Sequence, residues 1–319
     1  MYRIGVDLGG TNIAVGLVND NYEIVTKKST PTKAERPADA IAADIAMLCK
    51  KVCEENGIDV KDIANIGVAT PGIADCDSGM VVYSCNLPFR KFPLAAKVAG
   101  ELDIDASRVK LANDANAAAW GEAVAGAAKG STNSVMITLG TGVGGGIIID
   151  NKIYTGANYA GAELGHIVIE VDGAQCGCGR KGCWEAYSSA TALIRMTKEK
   201  LEECRAEGRE TIMSKAERIS GRTACEAMRA GDAAGKEVYD KYVKYLAAGL
   251  ANIINIFQPQ IISLGGGVSN EGQSLIDALL PIVRGEQYGN DLLDQDKLTE
   301  LRIAKLGNDA GIIGAAALA

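Results

Sequence analysis

His166 is the only histidine in the chain, and ten residues beyond it begins Cys176-Gly177-Cys178-Gly179-Arg180-Lys181-Gly182-Cys183-Trp184-Glu185. Three thiolates and one imidazole are a complete tetrahedral set for Zn²⁺, with no position left open for a substrate. The C-x-C-x4-C spacing is not that of the common zinc fingers, so the metal would pin a loop inside a larger protein. Three cysteines could instead be buried hydrophobes or disulfide partners. A segment this rich in glycine, with almost no apolar periodicity, makes poor core, which favours a structural zinc held by His166, Cys176, Cys178 and Cys183. Glu163 and Glu185 flank the cluster. Carboxylates accept hydrogen bonds from vicinal hydroxyls in pairs. A metal that fixes this loop would therefore also fix two acceptors suited to a sugar ring. Without it they would be ordinary surface charge.

A second chemistry is written in glycine. Asp7-Leu8-Gly9-Gly10-Thr11-Asn12 ends an apolar strand in an acidic residue and a bare turn. Gly9 and Gly10 let the backbone approach a polyphosphate, and the Thr11 hydroxyl and Asn12 amide can donate to it. Asp7 would repel phosphate, so its sensible role is to hold Mg²⁺, directly or through water. A plain hairpin turn is the alternative, because short glycine motifs are weak. Leu139 to Gly146 places five glycines in eight residues, a costly composition for a strand, and its turn at Gly140, Thr141 and Gly142 is a second phosphate candidate. Gly265-Gly266-Gly267 is a third such turn and could lie under a nucleoside. Asn113-Asp114 opens an alanine-rich helix expected to run to about Ala128. Asp114 could be its N-cap. It could also be a general base, held ionised by the positive end of the helix dipole, taking the proton of a hydroxyl that attacks phosphorus. Position alone favours the cap.

These residues need elements to carry them. Ile4 to Tyr22 and Val135 to Ile153 share one plan at an offset of 131 residues: apolar strand, Leu-Gly, a Gly/Thr turn, a second apolar strand, then Asp and Asn. Each reads as a β-hairpin whose turn is made of backbone. Asn65 to Gly72 and Ile261 to Gly267 are further strands ending in glycine turns. Ala38 to Glu55 and Val238 to Phe257 space their apolar residues on one helix face. The chain thus reads as two related α/β halves. The charged, mostly helical stretch 188–235 carries no chemistry that can be named and is expected beside the second half, on the nucleotide or dimer side. Asn308 to Ala319 reads as a short final helix, capped by Asn308 or Asp309, that crosses back onto the first half.

The 319 residues suffice for two domains. A net charge of −7 argues against a nucleic-acid partner, since neutralising phosphates needs a basic face. Beyond the zinc set, Cys49, Cys53, Cys76, Cys85, Cys204 and Cys225 read as reduced thiols of a cytoplasmic protein. The chain opens on a strand, so no signal peptide is expected. No apolar run reaches membrane length; the best, Leu246 to Phe257, carries Asn252 and Asn255.

Taken together, D-x-G-G-T-N at Asp7 to Asn12, N-D-A-N-A-A at Asn113 to Ala118, L-G-T-G-V-G-G-G at Leu139 to Gly146, E-x-G-H at Glu163 to His166 and C-x-C-G-x-x-G-C-x-E at Cys176 to Glu185 resemble the ROK family (repressors, open reading frames, kinases). Within it they are most similar to bacterial glucokinases. The resemblance covers essentially the whole chain. It implies an α/β, actin-like ATPase fold of two ribonuclease-H-like domains with a cleft between them. The expected division is 1–115 plus 305–319, and a larger 116–304 carrying the zinc loop and the helical insertion. It implies transfer of phosphate from Mg²⁺-ATP to a hexose, usually at the 6-hydroxyl, with glucose as the reading and N-acetylmannosamine, N-acetylglucosamine, fructose or allose as the alternative substrate. Carried over by position, Asp114 is the catalytic base. Asn113, Glu163, His166 and Glu185 hold the sugar, and Gly72 and Asn86 lie in loops bordering it. His166 would serve twice, one ring nitrogen on zinc and the other toward a sugar hydroxyl. A homodimer or dimer of dimers is implied. The family's sugar-sensing repressors carry a helix-turn-helix domain before the first phosphate strand; with Asp7 as the seventh residue, none is expected here.

Overall fold

Strand β1 (Arg3–Leu8) buries Ile4, Val6 and Leu8 on one face, the period-2 pattern of a pleated strand. It turns back into β2 (Asn12–Val18), which pairs antiparallel with β3 (Ile24–Pro31). β3 has no fully buried residue, as befits an edge. Helix α1 (Ala38–Glu54) buries Ile41, Ile45, Leu48 and Val52, the stripe its spacing predicts. β4 (Ile66–Thr70) joins β1 in parallel. Then β5 (Ile73–Asp75), β6 (Met80–Tyr83) and β7 (Arg90–Phe92) form a small antiparallel sheet of their own. After α2 (Leu94–Leu102), β8 (Val109–Asn113) pairs parallel to β4 and runs directly into α3 (Asp114–Val124). The sheet order is β3-β2-β1-β4-β8.

The hairpin theme then repeats. β9 (Ser134–Leu139), β10 (Val143–Ile149) and β11 (Lys152–Ile153) are followed by a long irregular stretch and by α4 (Glu185–Ser188), α5 (Ala190–Glu207), α6 (Thr223–Arg229) and α7 (Ala233–Phe257). β12 (Ile261–Gly265), α8 (Gln273–Glu286), β13 (Glu300–Ile303) and α9 (Ala310–Ala316) complete the chain. The second sheet has the order β11-β10-β9-β12-β13, the same plan as the first. The internal echo in the sequence is therefore an echo of topology.

The computed structural model describes residues 1–318. Two compact units are present: Met1–Met136 with Gly146–Ala162 and the chain from Lys305 onward, and Ile137–Gly145 with Glu163–Ala304. The sequence reading drew the first boundary after residue 115, whereas the first unit also takes in 116–136 and 146–162. The reason is helical packing. α3 lies on α9 so closely that a Cβ on Gly314 would stand 1.7 Å from the Ala117 carbonyl oxygen. The fully buried Glu122 then locks the pair, accepting from the backbone N–H groups of Ala127 (2.6 Å), Lys305 (2.9 Å) and Leu306 (2.8 Å). α9 thus returns to the first unit, but neither expected residue caps it by side chain: the Asp309 carboxylate is taken by Lys27. α3 stops at Val124, short of the expected Ala128. Gly314→Ala is expected to cost about 1–3 kcal/mol, as overpacking against backbone does, read as a lowered midpoint in thermal or denaturant unfolding.

In the second unit, α7 is the central helix. Gly249 leaves room for the Trp184 indole, whose face would meet a Cβ there at 2.0 Å and whose Nε1 donates to the Tyr245 carbonyl (3.1 Å). The stretch 188–235 folds as α5, a 3₁₀ turn at Ile212–Lys215 and α6. It is bound to α7 through Lys200 and Arg209, which both pair with Glu237 (2.8 Å each).

Candidate active site

The end of β1 and the start of α3 gather the chemistry of the first unit. Asp7 points toward α9, its carboxyl carbon 3.2 Å from where a Cβ on Gly311 would lie. The turn after it is closed by Gly9 N–H to the Asn12 carbonyl (2.9 Å) and is braced by Thr32, which donates its hydroxyl to the Gly9 carbonyl (2.7 Å) and its N–H to that of Thr11 (2.9 Å). That leaves the Thr11 and Asn12 side chains exposed. Asp114 is not the cap of α3. Asn113 is, its Oδ1 accepting from the N–H groups of Ala115 (2.9 Å) and Asn116 (3.2 Å). Asp114 is the first helical residue and accepts from Ala115 through one oxygen (2.9 Å). The Asn113 amide beside it also favours the charged form. Solvent reaches this carboxylate, yet the protein enclosing its other sides pushes its pKa above the ordinary value, against the pull of the helix N–H groups. Asp7 is raised as well, first by burial, then by the charge of Asp114, with Lys27 opposing.

The expected sugar-bordering residues adjoin these two. Asn113 donates its amide to the Gly72 carbonyl (3.1 Å). Gly72 has φ +98°, and a Cβ there would strike the Tyr83 carbonyl oxygen at 2.1 Å, so only glycine serves. The Asn86 side chain lies against Gly10, 3.4 Å from where its Cβ would be. The loop carrying Asn86 is clamped by Arg90, which donates to the carbonyls of Ser84 and Phe89 (2.7 Å to the latter) and stacks on Tyr83, 4.1 Å from the ring centroid. Sequence reading did not single out Arg90, because its partners are recognisable only once the small sheet is formed.

In the second unit the two glycine turns meet. Gly266, at φ +84°, lies on the Leu139 backbone, 2.6 Å from where its Cβ would be. The Gly140–Gly142 turn is held by α5: Ala190 N–H donates to the Gly140 carbonyl (2.8 Å) and the Thr191 hydroxyl to that of Thr141 (2.7 Å). Beside them is a pocket of about 370 Å³ lined by Ala190, Gly221, Arg222, Cys225, Gly267 and Glu271. No atom stands within 4 Å of a Cβ built on Gly267. The stretch that carried no nameable chemistry thus supplies one wall of this pocket through the residues around α6.

The zinc candidates come together. The ligand atoms of His166, Cys176, Cys178 and Cys183 all lie within 4.8 Å of one another. Cys178 Sγ is 3.6 Å from Cys183 Sγ, and Cys176 Sγ is 3.7 Å from His166 Nδ1. A tetrahedron with Zn–S bonds of about 2.3 Å has S···S edges of about 3.8 Å, so both donor set and spacing fit. Burial pushes the Cys176 thiol up to about 12, while the Arg180 backbone N–H holds that of Cys178 below its usual value. The loop has little regular structure, but Gly182 packs so tightly on the Glu170 carbonyl that a Cβ would stand at 1.7 Å. Glu185 reaches from this cluster to the glycine turn: one oxygen lies 3.5 Å from Cys176 Sγ and the other accepts from Val143 N–H (3.0 Å). Glu163 is exposed at the head of the 3₁₀ turn Leu164–His166.

The ROK family model matches residues 3–319. The chain belongs to the ROK family. It is 36% identical over 322 residues to the glucokinase of Streptomyces coelicolor, covering 99% of this chain and 96% of that one. It is 37% identical over 315 residues to the glucokinase of Halalkalibacterium halodurans, covering 98% and 93%. Among solved structures it is similar to a ROK family glucokinase from Streptomyces griseus in complex with glucose and AMPPNP, with TM-score 0.77, 35% identity and coverage of 100% and 99%. The α/β architecture is accordingly the actin-like ATPase fold expected of the family. Among the described residues no helix is long and apolar enough to cross a membrane.

Proposed function

We propose that this ROK protein is an ATP-dependent glucose kinase that phosphorylates the 6-hydroxyl, with Asp114 as general base. The observation that carries the assignment of the base is the division of labour at the head of α3: Asn113 performs the capping, so the solvent-reached Asp114 carboxylate is not the group that closes the helix. The kinship with glucokinases supports ATP and a hexose as substrates. Asp7 would hold Mg²⁺, the Gly9–Asn12 and Gly140–Gly142 turns would receive phosphates, and the Gly265–Gly267 turn with the pocket beside it would receive the nucleoside. Glu163, His166 and Glu185 would accept or donate to sugar hydroxyls, and Asn113, Gly72 and Asn86 would border the ring. Zinc, held by His166, Cys176, Cys178 and Cys183, would order this loop. Because Nδ1 faces the sulfurs, Nε2 of His166 is the nitrogen left for sugar.

The test is ADP release from Mg²⁺-ATP against glucose, N-acetylmannosamine, N-acetylglucosamine, fructose and allose, with sugar-phosphate formation followed where polyphosphate replaces ATP. Clear preference for glucose is expected. Preference for another sugar would move the substrate and leave the roles of Asp114 and the zinc loop in place. Silence on every sugar, with folded protein, would return the chain to the sensor class of its family. A pH profile follows from the raised pKa of Asp114. The base form is lost as pH falls through that raised value, so the acid limb of kcat/KM is expected above the ordinary carboxylate range.

A further inference from the structure

The segment leading into Glu163 is held in a conformation its residues do not favour. Tyr159 has φ +62° and Ala162 φ +66°, left-handed values for residues with a Cβ, with Gly156 at φ +74° between β11 and them. Such outliers persist only where surrounding contacts over-determine them, and they gather at functional sites. Two contacts do so here. Gly161 N–H donates to the Thr155 carbonyl (2.8 Å), closing the segment into a tight loop. The Tyr159 hydroxyl donates to Asp77 Oδ2 at 2.6 Å, across 82 residues of sequence. Asp77 sits in the β5–β6 turn, which Asp75 stiffens by accepting from the N–H groups of Asp77 and Ser78 (3.0 Å each). The other end of this hairpin begins next to Gly72, whose carbonyl receives the Asn113 amide. One short hairpin thus touches the cap of α3 at its base and the approach to Glu163 at its tip.

We propose that Tyr159 is a positioning residue for sugar binding: its hydrogen bond to Asp77 latches the loop 156–162, the segment that runs into Glu163. The proposal rests on the sugar-kinase reading for its substrate and on the hairpin geometry for its mechanism. Nucleotide residues do not depend on this loop. The Gly140–Gly142 turn is braced by α5 and the Gly265–Gly267 turn by Leu139. The latch should therefore act on sugar alone.

The experiment uses the full chain and three variants, Tyr159→Phe, Asp77→Ala and the double. Each is measured for kcat, KM for glucose, KM for ATP, and hydrogen exchange of amides 156–166. Tyr159→Phe keeps the ring and removes only the donor. The expected result is a glucose KM raised at least about fivefold, an ATP KM within twofold, faster exchange confined to 156–166, and a double variant no worse than the poorer single. A glucose KM within twofold of the parent, or equal rises in both KM values, would overturn the proposal. Should the parent itself fail to phosphorylate glucose, the sugar-kinase reading is what has failed. The latch is then judged on exchange alone, with unchanged protection of 156–166 in Tyr159→Phe counting against it.

Discussion

Asp114→Asn is expected to lower kcat by about 10²–10⁴-fold, the span usual for a positioned base, while glucose KM stays within a few-fold of the parent. The amide keeps the size of the side chain, and its oxygen can still accept from Ala115 N–H. The Asn113 cap is untouched, so α3 remains in place. What is lost is the ability to take a proton as the sugar oxygen attacks phosphorus. Stability supplies a second readout with the opposite sign. A carboxyl whose folded pKa is raised favours folding below its ordinary pKa, and that contribution is lost as pH rises through the raised value. At neutral pH the ionised Asp114 therefore opposes folding, with Asp7 adding a like charge nearby. An amide never ionises, so the variant should unfold at the same or a higher temperature. Loss of turnover with gain or retention of stability is the signature of a group kept for chemistry. Near-normal turnover would remove Asp114 from the mechanism.

The parts of this molecule legible in its sequence are those written locally. The Cys/His cluster was legible because three of its four members lie within eight residues, and the fourth is the sole histidine. The two hairpins were legible because strand periodicity and backbone turns leave a pattern of their own, and the equal sheet orders follow from it. What could not be read is what tertiary contacts decide. Asn113 and Asp114 are both good cap formers, and sequence offers no means to choose between neighbours. The structure chooses Asn113, whose amide also finds Gly72 from a distant loop. Asp309 was expected to cap α9, but Lys27 on β3 claims its carboxylate. The extent of the first unit depends on Gly314 meeting Ala117 and on Glu122 gripping residues 305 and 306. None of these pairings has a sequence signature, since each joins residues far apart in the chain. Tyr159 is the same case: a tyrosine in a loop carries no signal until Asp77 is found opposite it.

Removing the zinc site should separate sugar binding from nucleotide binding. Cys178→Ser is expected to abolish stoichiometric zinc by elemental analysis, to raise glucose KM by about 10–100-fold, the range typical of lost support around a metal site, and to change ATP KM by less than about threefold. Chelation of the unaltered chain should do the same and lower its melting temperature, because a metal bound only by the folded state stabilises it. The asymmetry follows from how each part is held. Glu185 comes two residues after Cys183, and Glu163 three before His166, so both acceptors hang directly on the ligands. Between His166 and Cys183 the backbone forms no long helix or strand and is held by scattered bonds, among them Ile169 N–H to the Gly182 carbonyl (2.9 Å), Cys176 N–H to that of Arg180 (2.9 Å) and Gly182 N–H to that of Ala174 (2.8 Å). Four ligands converging on one ion would tie these scattered bonds into one rigid unit. The turns proposed for the nucleotide instead rest on regular elements, Gly140 and Thr141 on α5 and Gly266 on the end of β9. They meet the loop through Val143, whose N–H donates to Glu185 (3.0 Å) and whose carbonyl oxygen would stand 2.1 Å from a Cβ on Gly165. If zinc disappears and glucose KM does not move, the loop is ordered by its tight glycines and by Trp184 in the core, and the metal is not what positions the acceptors. If both KM values rise together, the Glu185 link carries more of the second unit's order than its single hydrogen bond suggests.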